Sequence, residues 1–212
     1  MADLQFYFDP VCPWAYITSR WASEVRAQRG YDVSWQFISL LMINDERGYG
    51  EGNEARRDAH FAGLQALRVA SAARAAAGNE AVDAVYTALG KAIHADKRRP
   101  EQSGGMQNLL RSVLGEAGLN PDWAASADDE AHDEVIRQET MFAIESTGKD
   151  VGTPILIFHP GTAQQASFFG PVISKIPRGA DATRLWDAVY TLATTSGMAE
   201  LKRSLRAAPV FD

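Results

Sequence analysis

The pattern of the first 38 residues restricts the possible folds most strongly. Residues 4–8 are rich in strand-forming side chains and end at an Asp-Pro pair, which is typical of a strand followed by a tight turn. Apolar residues then recur at helical spacing from Trp14 to Arg29, and residues 32–38 alternate as a second strand does. The sequence therefore predicts a strand–helix–strand unit, with Cys12, the single cysteine, at the start of the helix.

A long block without strand patterning follows this unit. Residues 44–53 contain three glycines and predict a loop, whereas residues 54–147 predict a succession of helices. Strand character returns at residues 155–158, and residues 165–169 are placed to pair back on them as a hairpin. Two further helices are predicted near the end of the chain, over residues 182–195 and 198–206.

The order of these elements predicts the architecture. It is βαβ, then a helical block, then ββα, which indicates an α/β fold with a thioredoxin-like core and a large all-helical insertion. We assign residues 1–43 and 148–212 to the thioredoxin-like domain. We assign residues 44–147 to the helical insertion, which we expect to act as a lid.

Charge and hydropathy argue against several function classes. The net charge of −6 disfavours nucleic acid as a partner, and no apolar run reaches the roughly 18 residues that a membrane helix requires. No secretory signal precedes the first strand, and one cysteine cannot form an internal disulfide, so we expect a cytoplasmic protein. The four histidines lack the spacing of metal ligands, and we expect no metal.

Cys12 is the residue that we expect to carry the chemistry. A cysteine attacks as its thiolate, and the unpaired N–H groups at a helix N-terminus stabilise that anion. Pro13 suits the first helical turn, where its missing N–H is no loss. We therefore predict that the pKa of Cys12 lies well below that of a free cysteine. The alternative is an inert, buried, small apolar residue.

Thr153 and Pro154 stand directly before the strand predicted at residues 155–158. In thioredoxin-type folds a cis-proline occupies this place beside the reactive thiol. The βαβ…ββα order therefore predicts a cis bond before Pro154, with the backbone of Thr153 presented to a bound thiol or extended peptide. The alternative is a trans proline at an ordinary junction between a loop and a strand.

Four segments of the chain resemble one family. They are residues 8–21 (Phe-Asp-Pro-Val-Cys-Pro-Trp-Ala-Tyr-Ile-Thr-Ser-Arg-Trp), 149–154 (Lys-Asp-Val-Gly-Thr-Pro), 168–179 and 200–212. They resemble the actinobacterial DsbA-like proteins known as mycothiol-dependent nitroreductases. The resemblance implies a homodimeric oxidoreductase in the cytosol of a mycothiol-making bacterium. It also implies reduction of small electrophiles or disulfides, with mycothiol or another low-molecular-weight thiol as electron donor.

The active-site motif departs from the family pattern at one position. The family carries Cys-Pro-Trp-Cys, whereas this chain has Cys12, Pro13, Trp14 and Ala15. The attacking thiol is present and the resolving thiol is absent, so an external thiol has to release any mixed disulfide on Cys12. Either the chain represents a natural monothiol branch, or Ala15 is an engineered replacement of the second cysteine that traps an intermediate and impairs turnover.

The same resemblance implies that Asn44 and His94 contribute to the substrate- and thiol-binding pocket, to which we also assign Tyr16. Tyr16 flanks the thiol, and Asn44 follows the second predicted strand, where its amide is suited to a polar ligand. Each assignment has a structural alternative. Asn44 can simply open a turn, and His94 can complement the C-terminus of its predicted helix.

Two other functions remain open from the sequence. The kappa-class glutathione transferases and hydroxychromene-carboxylate isomerases share the strand–helix start and the helical insertion. They carry serine at the position that matches Cys12, which speaks against this class. The remaining alternative is a redox-inactive or trapped variant that keeps the pocket and only binds ligand.

Overall fold

The structure, a computed structural model, describes residues 2–211. Within this range, four strands form one sheet: β1 (Leu4–Phe8), β2 (Val33–Phe37), β3 (Ile155–Phe158) and β4 (Ala166–Phe169). The strand order is β2-β1-β3-β4. β1 is parallel to β2 and antiparallel to β3, and β4 pairs antiparallel with β3 as the predicted hairpin. The central position of β1 places its C-terminal end, and Cys12 beyond it, next to β3.

Seven α-helices lie within the described residues: α1 (Pro13–Arg29), α2 (Leu40–Arg47), α3 (Glu54–Ala77), α4 (Asn79–Gly90), α5 (Met106–Glu116), α6 (Asp133–Thr147) and α7 (Gly179–Thr194). A π-helical turn at Lys91–Ala95 follows α4 directly, and short 3₁₀ segments link α4, α5 and α6. The C-cap of α1 is Gly30 at φ 71°, a left-handed conformation that glycine adopts without a side-chain penalty.

Two local predictions are wrong. The segment predicted as a loop from residue 44 begins inside α2, because the Ser39 side chain caps that helix by accepting a hydrogen bond from the N–H of Met42. The predicted helix over residues 198–206 is absent from this described segment, which is almost entirely exposed. An isolated helix of this length is marginal without a surface to pack on. The predicted domain boundary after residue 43 falls within α2.

Side chains of the helical block cover the free edge of β2. Asn79, at the start of α4, accepts from the N–H of Trp35 at 2.8 Å and donates to the carbonyl of Val33 at 2.7 Å. Glu139 of α6 accepts from the N–H of Phe37 at 2.7 Å. These bonds satisfy backbone groups that would otherwise remain unpaired at a sheet edge. They also fix the helical block against the sheet.

Aromatic packing joins the same two parts of the chain. Phe8 at the end of β1 stacks on Tyr86 of α4, with ring centroids 3.8 Å apart and planes at 17°. Trp35 contacts Phe6 and Phe8 on the same face of the sheet. All four rings are fully buried. The core therefore continues from the sheet into the helical block directly beneath the turn that leads to Cys12.

The backbone of α3 packs directly on that turn. A Cβ atom placed on Gly63 would lie 2.6 Å from Oδ1 of Asp9 and 2.9 Å from Cγ2 of Val11. Both distances are shorter than real Cβ contacts allow, so a glycine is required at this position of α3. The close approach holds the helical block against the segment that precedes Cys12.

We expect Gly63→Ala to lower the free energy of unfolding by about 1–3 kcal/mol, because the added methyl group overpacks the contact with Asp9. Gly115→Ala in α5 is the matched control, since a Cβ there meets nothing within 4 Å. The control should be neutral or slightly stabilising, because alanine is the better helix former. Urea denaturation of both variants measures the difference, and equal midpoints would contradict the close contact.

Candidate active site

Cys12 is the N-cap residue of α1. Its Sγ accepts a hydrogen bond from the N–H of Ala15 at 3.4 Å, and its own N–H donates to the carbonyl of Asp9 at 3.0 Å. Pro13 occupies the first helical position, where no N–H is needed. The cysteine thus stands at the helix N-terminus that the sequence predicts, with its sulfur turned towards the first free N–H groups.

The segment before β3 lies against the sulfur. The thiol of Cys12 donates to the carbonyl of Thr153 at 3.5 Å, and the hydroxyl of Thr153 donates to the carbonyl of Tyr7 at 3.0 Å. The peptide bond between Thr153 and Pro154 is cis. This arrangement presents the Thr153 backbone beside the thiol, at the position where a bound sulfur compound would extend from Cys12.

The predicted lowering of the Cys12 pKa is wrong for this arrangement. The side chain is only 7% exposed, and burial raises the pKa of the Cys12 thiol to about 12. The N–H groups of Ala15 and Trp14 lower the pKa, as expected at a helix N-terminus, whereas the nearby Asp9 carboxylate raises it. The loss of water outweighs the two N–H donors, so the thiol is protonated at neutral pH.

Asp9 is a buried carboxyl that sequence reasoning missed. Its Oδ1 accepts from the N–H of Val11 at 3.0 Å, and its Oδ2 accepts from the N–H of Leu40 at 2.8 Å. Burial raises the pKa of the Asp9 carboxyl to about 7, against the opposing effect of these two donors. The Asp-Pro pair indicates only a turn, because the contacts with Leu40 and Gly63 come from remote parts of the chain.

Three rings form a triangle near the turn that holds Cys12, because Tyr16 follows Cys12 by one helical turn and His94 bonds the carbonyl of Pro10. The centroid of His94 lies 5.3 Å from that of Tyr16 and 5.5 Å from that of Phe211, and those two centroids are 6.3 Å apart. Tyr16 belongs to the same buried cluster as Cys12, and Phe211 packs against that cluster. These three rings form an aromatic wall, in which Tyr16 and His94 are almost fully buried.

His94 is neutral at physiological pH. Burial lowers its pKa to about 4, although the hydrogen bond to the carbonyl of Pro10 opposes this effect. Its Nε2 lies 2.9 Å from that carbonyl oxygen, so Nε2 carries the hydrogen in the neutral ring. His94 lies in the π-helical turn after α4, and its hydrogen bond holds it against the turn before Cys12. Because the ring is neutral, it does not act as a cation that complements a helix C-terminus.

The remaining predicted site residues are Trp14 and Ala15 in α1 and Asn44 in α2. Ala15 is fully buried on the first turn of α1, and Trp14 is half-buried and packs against the core. Asn44 is half-buried in α2, and its amide donates to the carbonyl of Leu40 at 2.7 Å within the same helix. It connects to Cys12 only indirectly, since Leu40 also bonds Asp9. A ligand contact of Asn44 stays a prediction.

Across residues 2–211, no group of three or more histidine, cysteine, aspartate or glutamate side chains is arranged to hold a metal ion. None of the helices described is both long enough and apolar enough to cross a bilayer.

Solved structures with a similar fold include disulfide oxidoreductases and a 2-hydroxychromene-2-carboxylate isomerase. The cytosolic disulfide reductase DsbM from Pseudomonas aeruginosa aligns with a TM-score of 0.57 at 16% identity, covering 90% of this chain and 99% of that chain. The probable DsbA oxidoreductase SCO1869 from Streptomyces coelicolor aligns with a TM-score of 0.56 at 16% identity, covering 96% and 94%. These likenesses confirm the predicted α/β fold of the DsbA-like thioredoxin kind.

A curated relative and a family model cover nearly the whole chain. The chain is 32% identical over 203 residues to the uncharacterized protein Rv2286c of Mycobacterium tuberculosis (strain ATCC 25618 / H37Rv). The alignment covers 96% of this chain and 82% of that protein. The model described as mycothiol-dependent nitroreductase Rv2466c matches residues 11–203, a range that contains both Cys12 and the cis-proline segment. This chain belongs to the Rv2466c-like family of mycothiol-dependent nitroreductases.

Proposed function

We propose that the protein is a thiol-disulfide oxidoreductase that acts through Cys12 alone, with mycothiol or another low-molecular-weight thiol as co-substrate. The observation that carries this proposal is the placement of the Cys12 sulfur between the Ala15 N–H and the carbonyl of Thr153. Family membership supports a thiol-dependent reaction. Small electrophiles and disulfides are the substrates that fit a nucleophilic sulfur of this kind.

The reaction has two exchange steps. The Cys12 thiolate attacks one sulfur of a disulfide, the sulfur–sulfur bond breaks, and the other half leaves as a thiolate. An external thiolate then attacks the mixed disulfide and releases Cys12 together with a new small disulfide. No atom of residue 15 takes part, because Ala15 carries no sulfur. For a nitro compound, two thiols supply the two electrons and two protons that reduce the nitro group to nitroso and water.

The surrounding residues have supporting roles in this proposal. Trp14, Tyr16 and His94 line the thiol-binding side, and Thr153 with Pro154 aligns the bound sulfur compound against Cys12. Asn44 binds a polar part of the ligand from α2. The helices over residues 44–147 form the lid, which agrees with the contact of Gly63 on the turn before Cys12. We place this chemistry in the cytoplasm of a mycothiol-making actinobacterium and in a homodimer.

A second candidate function is ligand binding without redox turnover. Two observations favour it, namely the missing second sulfur at Ala15 and the burial that keeps the Cys12 thiol protonated. Both functions use the same pocket, so they differ only in whether a covalent adduct forms. A kappa-class-like transferase or isomerase would not need the sulfur, and its activity would survive the change Cys12→Ser.

We expect the protein to gain the mass of one mycothiol when it is incubated with mycothiol disulfide, and the adduct to lie on Cys12. Cys12→Ser should form no adduct and should lose thiol-dependent turnover, because serine cannot form a disulfide. Intact-protein mass spectrometry measures the adduct, and circular dichroism checks that the variant is folded. Unchanged thiol-dependent turnover in Cys12→Ser would exclude the proposal, and tight binding without an adduct would favour the second candidate.

The raised pKa of Cys12 predicts the pH dependence of its alkylation. The protonated form dominates at neutral pH and only the thiolate reacts, so the rate should rise by about tenfold per pH unit without a plateau below about pH 9. Alkylation with iodoacetamide, quenched at set times and quantified by mass spectrometry, measures the rate at each pH. Cys12→Ser is the unreactive control. A plateau with a midpoint below about 8.5 would instead support a thiol activated by the helix N-terminus.

Restoring a second cysteine should change how the adduct is released. The mixed disulfide on Cys12 should persist after excess disulfide is removed and should decay at a rate first order in added thiol. Ala15→Cys should add a release channel that needs no added thiol, because residue 15 lies one turn along α1 with its N–H on the sulfur. Ala15→Ser, which is similar in size but has no sulfur, is the control. Equal release from all three proteins without added thiol would contradict the proposed register.

A further inference from the structure

The C-terminal tail runs from the end of α7 back to the site of Cys12. Residues 199–208 of this tail are all exposed, and Leu205 is 89% exposed. The tail then regains contact with the body of the protein: the N–H of Val210 donates to the carbonyl of Ser174 at 2.8 Å, and the ring of Phe211 packs on Tyr16 and His94. A long exposed stretch therefore ends on two rings, one that follows Cys12 by one helical turn and one that is bonded to Pro10, two residues before Cys12.

The other walls of the site are fixed. Tyr16 is held against the backbone of α4, since a Cβ on Gly90 would lie 2.2 Å from its ring. His94 is fastened by the hydrogen bond from Nε2 to the carbonyl of Pro10 at 2.9 Å. Thr153 is tied to β1 by its hydroxyl. Each of these residues belongs to the buried body of the fold, and none can leave the sulfur without breaking core packing.

Phe211 differs from these residues in what holds it. Its ring is half-buried, and the chain before it is exposed and has no regular secondary structure over the described residues 199–211. Segments with few buried contacts open locally at a low free-energy cost. An incoming disulfide has to bring a sulfur atom into line with a thiol that is only 7% exposed. Of the groups around Cys12, the tail is therefore the one that opens most easily.

We propose that Phe211 is a specificity-determining residue: it closes the outer side of the Cys12 site, and residues 207–211 must swing away before a bulky thiol or disulfide can reach the sulfur. A small reagent needs less opening than a large one. Phe211 thus sets the size of the molecules that react at Cys12. This proposal concerns access to the sulfur and holds whether or not the protein exchanges thiols with mycothiol.

Two alkylating reagents of different size test the proposal. The rates of Cys12 alkylation by iodoacetamide and by fluorescein maleimide are measured on the full chain and on Phe211→Ala. We expect the rate with the bulky maleimide to rise by about tenfold in Phe211→Ala, equivalent to about 1.4 kcal/mol, and the ratio of bulky to small rates to rise with it. Leu205→Ala is the matched control, because Leu205 belongs to the same tail and its side chain is 89% exposed.

The ratio of the bulky-reagent rate to the small-reagent rate distinguishes a steric barrier at Phe211 from a contact that only stabilises the fold. General loosening of the fold would raise both rates by the same factor and leave their ratio unchanged. A ratio of bulky to small rates in Phe211→Ala equal to that in Leu205→Ala would overturn the proposal. A Phe211→Ala variant that does not react with the maleimide at all would also overturn it. A chain that ends at Arg206 should behave like Phe211→Ala, which excludes an effect particular to the alanine substitution.

Amide hydrogen exchange gives a second, independent test. The Val210 amide is hydrogen-bonded to Ser174 when the tail is closed, so in the free protein it should exchange more slowly than the amides of the exposed residues 199–206. Once Cys12 carries the fluorescein maleimide, the tail is held open and the peptide that contains Val210 should exchange faster. The peptide over residues 199–206, exposed in both states, serves as the internal reference. Unchanged protection of Val210 in the labelled protein would contradict the swing of the tail.

Discussion

The carboxyl group of Asp9 links three parts of the chain that together build the site. It accepts N–H donors from Val11 and Leu40, and the backbone of Gly63 packs on it. A fully buried carboxyl is tolerated only when its oxygens are hydrogen-bonded. The turn before Cys12, the start of α2 and the middle of α3 are therefore positioned by one group. The thiol sits at the end of a turn whose shape Asp9 fixes.

The same arrangement decides the electrostatics of the thiol. Burial removes water from Cys12 and raises its pKa, and the Asp9 carboxylate lies close enough to raise the thiol pKa further. The two N–H donors at the start of α1 stabilise a thiolate only once solvent reaches the sulfur. A single thiol without a resolving partner is vulnerable to trapping and oxidation. A closed site that keeps the sulfur protonated limits both reactions until a ligand opens it.

Local signals in the sequence were sufficient for the parts of the fold that depend on neighbouring residues. The alternation in β1 and β2, the Pro13 start and the Gly30 end of α1 all act within a few residues, and the predicted position of Cys12 is correct. Contacts between remote residues decided the rest. The burial of Asp9 needs Gly63, and the Cys12 pKa depends on how completely the site closes, which no local pattern encodes.

The two errors of secondary structure have the same origin. Glycines after residue 47 suggested a loop over the whole region, whereas the Ser39 cap and the buried Leu41 and Ile43 stabilise α2. Conversely, a helix is predicted over residues 198–206, but Leu201 and Leu205 are exposed and find no surface on which to pack. Amphipathic spacing stabilises a helix only when a complementary face exists. Tertiary packing thus overrode the local preference in both segments, in opposite directions.

The attachment of the helical block indicates which element can move. Asn79 and Glu139 pair with the free edge of β2, and Gly63 lies against Asp9. Lifting the block from the core would break the hydrogen bonds to the β2 backbone. It would also remove the backbone of Gly63 from its packing on the Asp9 carboxyl. Each of these hydrogen bonds contributes a net stabilisation of about 0.5–1.5 kcal/mol. Within residues 2–211, the contacts of Phe211 and its neighbour Val210 include one backbone hydrogen bond and two ring contacts on an exposed segment, so we expect the tail to open before the block does.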